Sequence, residues 1–178
     1  MGSHFLLNII NAVQSDIILK KNKEGFELIQ LFNRVYKAAI RASNVQTHTI
    51  SEEIAFLNAY LKLEQTRTTR SIPSLKCSVE DEEVSVPSFV FQSLVENALL
   101  QCSEVKGAKM SCELVSDSHN TRLILDVTPS PSAELHDKTF AKTQLAIDRF
   151  NQLVEANIIQ GRLEWNSNGH FLIVQLNH

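Results

Sequence analysis

Between Phe5 and about Leu19 the apolar residues Phe5, Leu6, Ile9, Ile10, Val13 and Ile17 recur at the spacing of one helix face, with Asn8, Asn11 and Gln14 on its flank. A polar break, Asn22-Lys23-Glu24-Gly25, separates this stretch from a second one. The second runs from about Phe26 to Ala42, carries Leu28, Leu31, Phe32, Val35 and Ala39 as its stripe, and stops at Ser43-Asn44. Two helices of similar length joined by a short turn predict an antiparallel hairpin. Such a hairpin cannot cover both apolar faces alone, so a partner pair from a second copy of the chain is expected. Thr49 or Ser51 is a suitable N-cap for a third helix, with Glu52 and Glu53 favourable in its first turn. It continues through Ile54, Leu57, Tyr60, Leu61 and Glu64 to about Thr68, and Glu64 with Arg67 reads as a helix-surface ion pair.

Beyond Pro73 the period changes. Leu75 to Val79 and Lys109 to Val115 read as strands, and the run opening at Val86-Pro87 as a helix with proline in its first turn. Thr121 to Val127 alternates, with Leu123, Leu125 and Val127 on one face, as a half-buried strand does. After the breaker cluster Thr128-Pro129-Ser130-Pro131-Ser132, a helix from about Thr139 to Ala156 precedes strands at Arg162 to Asn166 and Phe171 to Leu176, with a turn at Asn168-Gly169. The fold class is therefore α+β. A helical part over residues 1–68 comes first, a part with helices on an open sheet over 69–178 follows, and the boundary falls near Thr68 to Pro73.

Composition narrows the chemistry. The 178 residues include only five glycines, under half the usual share of roughly 7%. Gly2, Gly25, Gly107, Gly161 and Gly169 are too far apart to build any glycine-rich phosphate loop. A formal charge of −3 gives no basic footprint for nucleic acid. Cys77, Cys102 and Cys112 form neither a C-x-x-C pair nor an even set, which fits a reducing, cytoplasmic setting. No apolar run approaches the roughly 20 residues of a bilayer span. Met1-Gly2-Ser3 reads as an expression remnant on a fragment of a longer protein, whose upstream part could include a membrane sensor.

Three segments carry a family resemblance. His4-Phe5-Leu6-Leu7-Asn8 resembles the P-H-F-L-F-N signature of LytS-type sensor histidine kinases. Glu53 to Arg67 is similar to their E-x-x-x-x-x-x-Y-L-x-I-E-x-x-R helix, through Tyr60, Leu61, Leu63, Glu64 and Arg67. The run Val86-Pro87-Ser88-Phe89-Val90-Phe91-Gln92-Ser93-Leu94-Val95-Glu96-Asn97-Ala98 resembles their V-P-x-L-x-L-Q-P-L-V-E-N-A segment. The resemblance implies a dimerising helical hairpin that presents a phosphoacceptor histidine, followed by an ATP-binding α/β sandwich of the histidine-kinase and gyrase (Bergerat) type. His4 would be the phosphoacceptor, a neutral imidazole whose ring nitrogen attacks the γ-phosphoryl group in line. Asn8, one turn on, would orient the ring. Asn97, in company with Glu96, would supply a carboxamide oxygen to the Mg²⁺ that bridges the ATP phosphates.

The same comparison exposes departures. Where the family continues with a basic residue, a histidine and a glycine, this chain has Leu100, Gln101 and Cys102. Its D-x-G-x-G box, whose aspartate holds the adenine amino group, is replaced by Thr128-Pro129-Ser130-Pro131-Ser132-Ala133. Asp126 is the nearby carboxylate, but the Leu123, Leu125, Val127 alternation sends it to the opposite face. Lys142 and Gln144 stand where the G-x-G-L glycines would open a helix N-terminus to phosphates, and Lys142 remains as a substitute phosphate cation. The missing glycines are thus largely those of two nucleotide boxes. His48, His119, His136, His170 and His178 show no metal-ligand spacing and read as surface or loop residues. Trp165 reads as a packing residue on its strand.

The expected function is the cytoplasmic core of a two-component sensor kinase: autophosphorylation at His4 from Mg-ATP, then transfer to a response-regulator aspartate, with nucleotide binding impaired. The alternative is a non-catalytic module, a dimeric scaffold or histidine phosphotransferase that docks a response regulator.

Overall fold

A reciprocal capping box opens the best-defined helix. The Thr49 Oγ1 accepts from the Glu52 amide at 3.2 Å, and the Thr49 amide donates to Glu52 Oε2 at 3.2 Å. This fixes Thr49 as the cap, the first of the two residues proposed for it. The computed structural model describes residues 22–67, 72–129, 144, 146–165 and 171–177, and the first expected helix, over residues 5–19, lies outside them. In chain order the elements are α1 (Asn22–Ser43), β1 (Thr47–Thr49), α2 (Ile50–Arg67), β2 (Leu75–Val79), β3 (Ser85–Pro87), α3 (Val90–Glu104), β4 (Lys109–Ser116) and β5 (Asn120–Thr128). A helix α4 over residues 146–155 follows, and β6 (Gln160–Trp165) and β7 (Phe171–Asn177) close the fold.

Five strands form one mixed sheet in the order β2-β4-β5-β7-β6. Only the β2–β4 pair is parallel, and the rest run antiparallel, with Leu123 opposite Leu114 on one side and Val174 on the other. Strict alternation decides which face is covered. Met110, Cys112 and Leu114 of β4 and Leu123, Leu125 and Val127 of β5 are all buried. Against that face packs α3, whose Phe91, Leu94 and Val95 are almost fully buried, together with Ala146, Phe150 and Leu153 of α4 at helical spacing. Helix α2 packs on α1 and also touches β2 and β3. One continuous core thus runs from Leu28 and Val35 of α1 to the sheet. At the far end of α1 an Arg149 guanidinium nitrogen donates to the Val45 carbonyl at 3.2 Å.

The segment around Pro87 departs from expectation. Val86-Pro87 is not the first turn of a helix but the end of β3, with Val86 opposite His48 and Pro87 opposite Thr47 of β1. The Ser88 amide then donates to the Gln46 carbonyl at 3.0 Å. Proline cannot donate to a ladder, so it sits where the strand ends. Phe89 turns the chain into α3 through a left-handed backbone, φ 66°, a conformation that costs a non-glycine residue of order 1–3 kcal/mol and must be held by its surroundings. Ser93 provides part of that hold, because its amide and its hydroxyl both donate to the Phe89 carbonyl, at 3.2 and 2.7 Å.

Candidate functional site

Helix α3 lies on the sheet with a polar row along one border of its apolar face. Gln92 is buried and its Nε2 donates to Glu96 Oε1 at 2.7 Å, one turn along. Asn97 follows at 5% exposure. An asparagine on the solvent side of the helix, the plain alternative for this residue, is therefore not what the fold contains. Its Oδ1 is buried and finds no hydrogen-bond donor. Buried carboxamide oxygens are nearly always paired, and an orphan of this kind calls for an explanation. A hard divalent cation, which binds oxygen, is the one that fits the donor chemistry.

The surroundings do not complete a nucleotide site. One turn beyond Asn97, Gln101 is buried with a partner of its own, and Leu100 is half-buried beside it. The Cys102 thiol donates to the Ala108 carbonyl at 3.4 Å. β5 ends at Thr128 and Pro129 follows it, both exposed, and neither offers a carboxylate to an adenine amino group. Asp126 is half-buried, as is Ile124, while Leu123, Leu125 and Val127 are buried between and beside them; it lies on the sheet face away from α3, as the alternation implies. Its Oδ2 accepts from Thr128 Oγ1 at 3.3 Å, and its Oδ1 is buried without a partner. Gln144, in place of a helix-opening glycine, lays its carboxamide along the helix and donates to Asp148 at 2.7 Å. Among the described residues, Asn97 offers an oxygen suited to a cation, and no adenine or phosphate contact is seen beside it. His4, Asn8 and Lys142 lie outside the described residues.

Three residues carry roles that the sequence pattern misjudged. His48 is not a surface histidine: its side chain is 9% exposed, and its Nε2 lies 2.6 Å from Oε2 of Glu53, which is fully buried. Glu53 therefore serves the interior rather than an exposed first turn, with Oε1 left unpaired. Glu64 is likewise buried, at 7% exposure, and engaged with a partner, so it is not the exposed surface residue expected. His119 does sit exposed in the β4–β5 turn, where its amide donates to Asp117. The signal for His48 was weak because a three-residue strand is too short to display a period. Among the described residues no group of three or more His, Cys, Asp or Glu side chains is placed to hold a metal, and no helix is long and apolar enough to cross a membrane.

Comparison with known proteins adds independent weight. The histidine kinase family model matches residues 1–72. The sensor protein LytS of Staphylococcus haemolyticus (strain JCSC1435) is 27% identical over 149 residues, 83% of this chain and 25% of its own length. The sensor histidine kinase/phosphatase LytS of Staphylococcus aureus (strain Mu50 / ATCC 700699) is 34% identical over 101 residues, 56% of this chain and 17% of its own. These matches make the chain similar to the LytS-type sensor histidine kinases and support a relationship to that family. It spans a quarter or less of the length of these two relatives. Among solved structures, the catalytic domain of histidine kinase ThkA aligns with 74% of this chain and 94% of its own, at 16% identity and a TM-score of 0.43. A bacterial phosphotransferase aligns with 97% of this chain and 90% of its own, at 12% identity and a TM-score of 0.44. Helix α3 carries the segment Leu94-Val95-Glu96-Asn97-Ala98 on which the resemblance rests.

Proposed function

We propose that this chain is the cytoplasmic core of a two-component sensor histidine kinase whose nucleotide site has degenerated. It works as a homodimer, with His4 as phosphoacceptor and Asn8 as its orienting neighbour, and exchanges a phosphoryl group with an aspartate of a response regulator. Residues 1–68 form the dimerisation and phosphotransfer part and 69–178 the ATPase-like part. The observation that carries the reading is Asn97: a buried carboxamide oxygen without a donor, on a helix of the family's motif, kept where a cation ligand belongs. Dimerisation is supported by α1, which buries Leu28, Val35 and Ala39 on one side and leaves Phe26, Ile29, Tyr36 and Ile40 exposed by 40% or more on the other.

The geometry also favours a second reading, in which no nucleotide is used at all. The Gln144 side chain, already bonded to Asp148, stands where an open backbone would meet phosphates, and Thr128-Pro129 offers no adenine contact. The chain is then a dimeric scaffold, or a histidine phosphotransferase that takes its phosphoryl group from a charged regulator. Calorimetric titration with Mg-ATP and Mg-ADP separates the two. Impaired binding predicts no affinity tighter than millimolar, whereas micromolar binding lost in Asn97→Ala would show an intact site. Back-transfer from a phosphorylated response regulator, abolished by His4→Ala, supports the phosphotransfer role; a chain that dimerises yet never carries phosphate at His4 is a scaffold.

A further inference from the structure

Away from Asn97 the fold holds a cleft of about 810 Å³, walled by α1 and α2 and closed at one end by β1 and β3. That volume lies in the range of small-molecule sites, roughly 300–1,000 Å³. Its body is apolar, formed by Leu31, Ala38 and Ala42 of α1 and by Phe56 and Ala59 of α2. Its charge is one-sided. Arg34, Lys37 and Arg41 come from α1 at spacings of three and four residues, which puts them on one helix face, and Lys62 comes from α2. Among the described residues none of these four side chains is engaged in an ion pair or hydrogen bond. Two carboxylates also reach the lining, but Glu52 is committed to the Thr49 amide and Glu83 stands alone. The chain as a whole carries −3, so this positive cleft runs against its overall charge.

His48 adds a fixed polar group. It lines the cleft and is held by Glu53, its ring already in place for a ligand that arrives. A pocket with apolar walls and a lining that is positive on balance, four cations against two carboxylates, suits a ligand with an apolar body and an acidic group better than a cation. We infer that the α1–α2 cleft is a binding site for small organic anions, carboxylates or phosphate monoesters on a ring-sized apolar body, held by Arg34, Arg41 and their neighbouring lysines. The site is separate from the Asn97 side of the sheet and does not depend on nucleotide binding.

Three probes that share one ring test this on the full chain: 1-naphthoate, 1-naphthyl phosphate and neutral 1-naphthol, followed by fluorescence or calorimetry in low and high salt. Both or either of the anions should bind at least about tenfold more tightly than naphthol, and added salt should narrow the gap. Whichever anion binds better identifies the acidic group. The double variant Arg34→Ala/Arg41→Ala should lose about tenfold for the anions and nothing for naphthol. Ala59→Trp, which fills the cleft, should abolish binding of all three, and Asn97→Ala should change none. Naphthol binding as tightly as the anions, unchanged anion binding in the double variant with a native circular dichroism spectrum, or loss of binding in Asn97→Ala would each overturn the assignment.

Discussion

If Asn97 is kept for a ligand rather than for the fold, removing its polarity should make the empty protein more stable. Leucine is branched at the same carbon and close in shape, so Asn97→Leu replaces the carboxamide with little change of outline. The side chain is 5% exposed and its Oδ1 has no donor, so the folded state carries a desolvated oxygen that water would satisfy in the unfolded chain. That burden is about 1–3 kcal/mol. The two added methyl groups enter a helix–sheet interface lined by Leu94 and Ala98, and their fit offsets part of the gain. The net expectation is a stabilisation of about 1–2 kcal/mol, or a Tm rise of about 2–8 °C for a chain of this size. Urea unfolding followed by circular dichroism gives the difference directly, with an unchanged m-value showing that the two states are otherwise the same. A loss of 1 kcal/mol or more would refute the reasoning, because it would mean that Asn97 is a structural group. The opposite result, stabilisation together with loss of any cation or nucleotide effect on Tm, is the signature of a residue retained at the expense of stability.

Other expectations follow from the same structure. His48→Ala strips the partner from the fully buried Glu53 and should cost about 3–5 kcal/mol, whereas His48→Leu/Glu53→Leu should recover most of it in the same urea assay. Phe91→Ala, at a fully buried position of α3, should cost about 3–5 kcal/mol by the same measurement. Burial, with a smaller contribution from Cys77 on the next strand, pushes the Cys112 thiol up to about 12, so at pH 8 a thiol reagent should modify exposed Cys77 at once and Cys112 only after denaturation. The unfolded thiol ionises near pH 8.5 while the folded one does not, so this group lowers stability progressively as pH rises from there towards 12. The amides of His119 and Asn120 hold the Asp117 carboxyl below its usual range; the β4–β5 turn should keep this support above pH 4 and lose it as pH falls through the lowered value, which NMR titration of the turn amides would follow.

How far the sequence reached depended on the length over which a pattern repeats. The alternation in β5 and the stripe of α1 run for two or more periods, and each was legible with the correct buried face, including the placing of Asp126 on the other face from Leu125, whereas β4 was legible as a strand alone. The region around residues 46–49 and 85–89 was not. Its two strands are three residues each, and what defines them is a pairing across a gap of 36 residues or more and the left-handed Phe89, neither of which leaves a local trace. The same blind spot hid His48 and Glu53, since a first-turn glutamate looks identical whether it faces water or a histidine on an adjoining strand. At the candidate site the motif around Asn97 was readable, but the burial of its oxygen was not, because that depends on the sheet beneath.

This division shows how such a fold would tolerate the loss of nucleotide contacts. The groups that hold the sandwich together are Phe91, Leu94 and Val95 on one side and Leu114, Leu123 and Leu125 on the other, and all of them point into the core. The glycines of a phosphate site act at the opposite border, where their value lies in an open backbone rather than in packing. Gln144, which the resemblance sets in the place of one such glycine, is outside the buried core, and a helix former at such a place reduces the freedom of the unfolded chain. Selection for the fold is indifferent to their loss. Asn97 is set apart by its place in the motif together with a buried oxygen that is unpaired among the described residues, as the Gln92 Oε1 also is. If Asn97→Leu proves stabilising, the fold would be better without this amide, and a divalent cation at its oxygen is the first ligand to test.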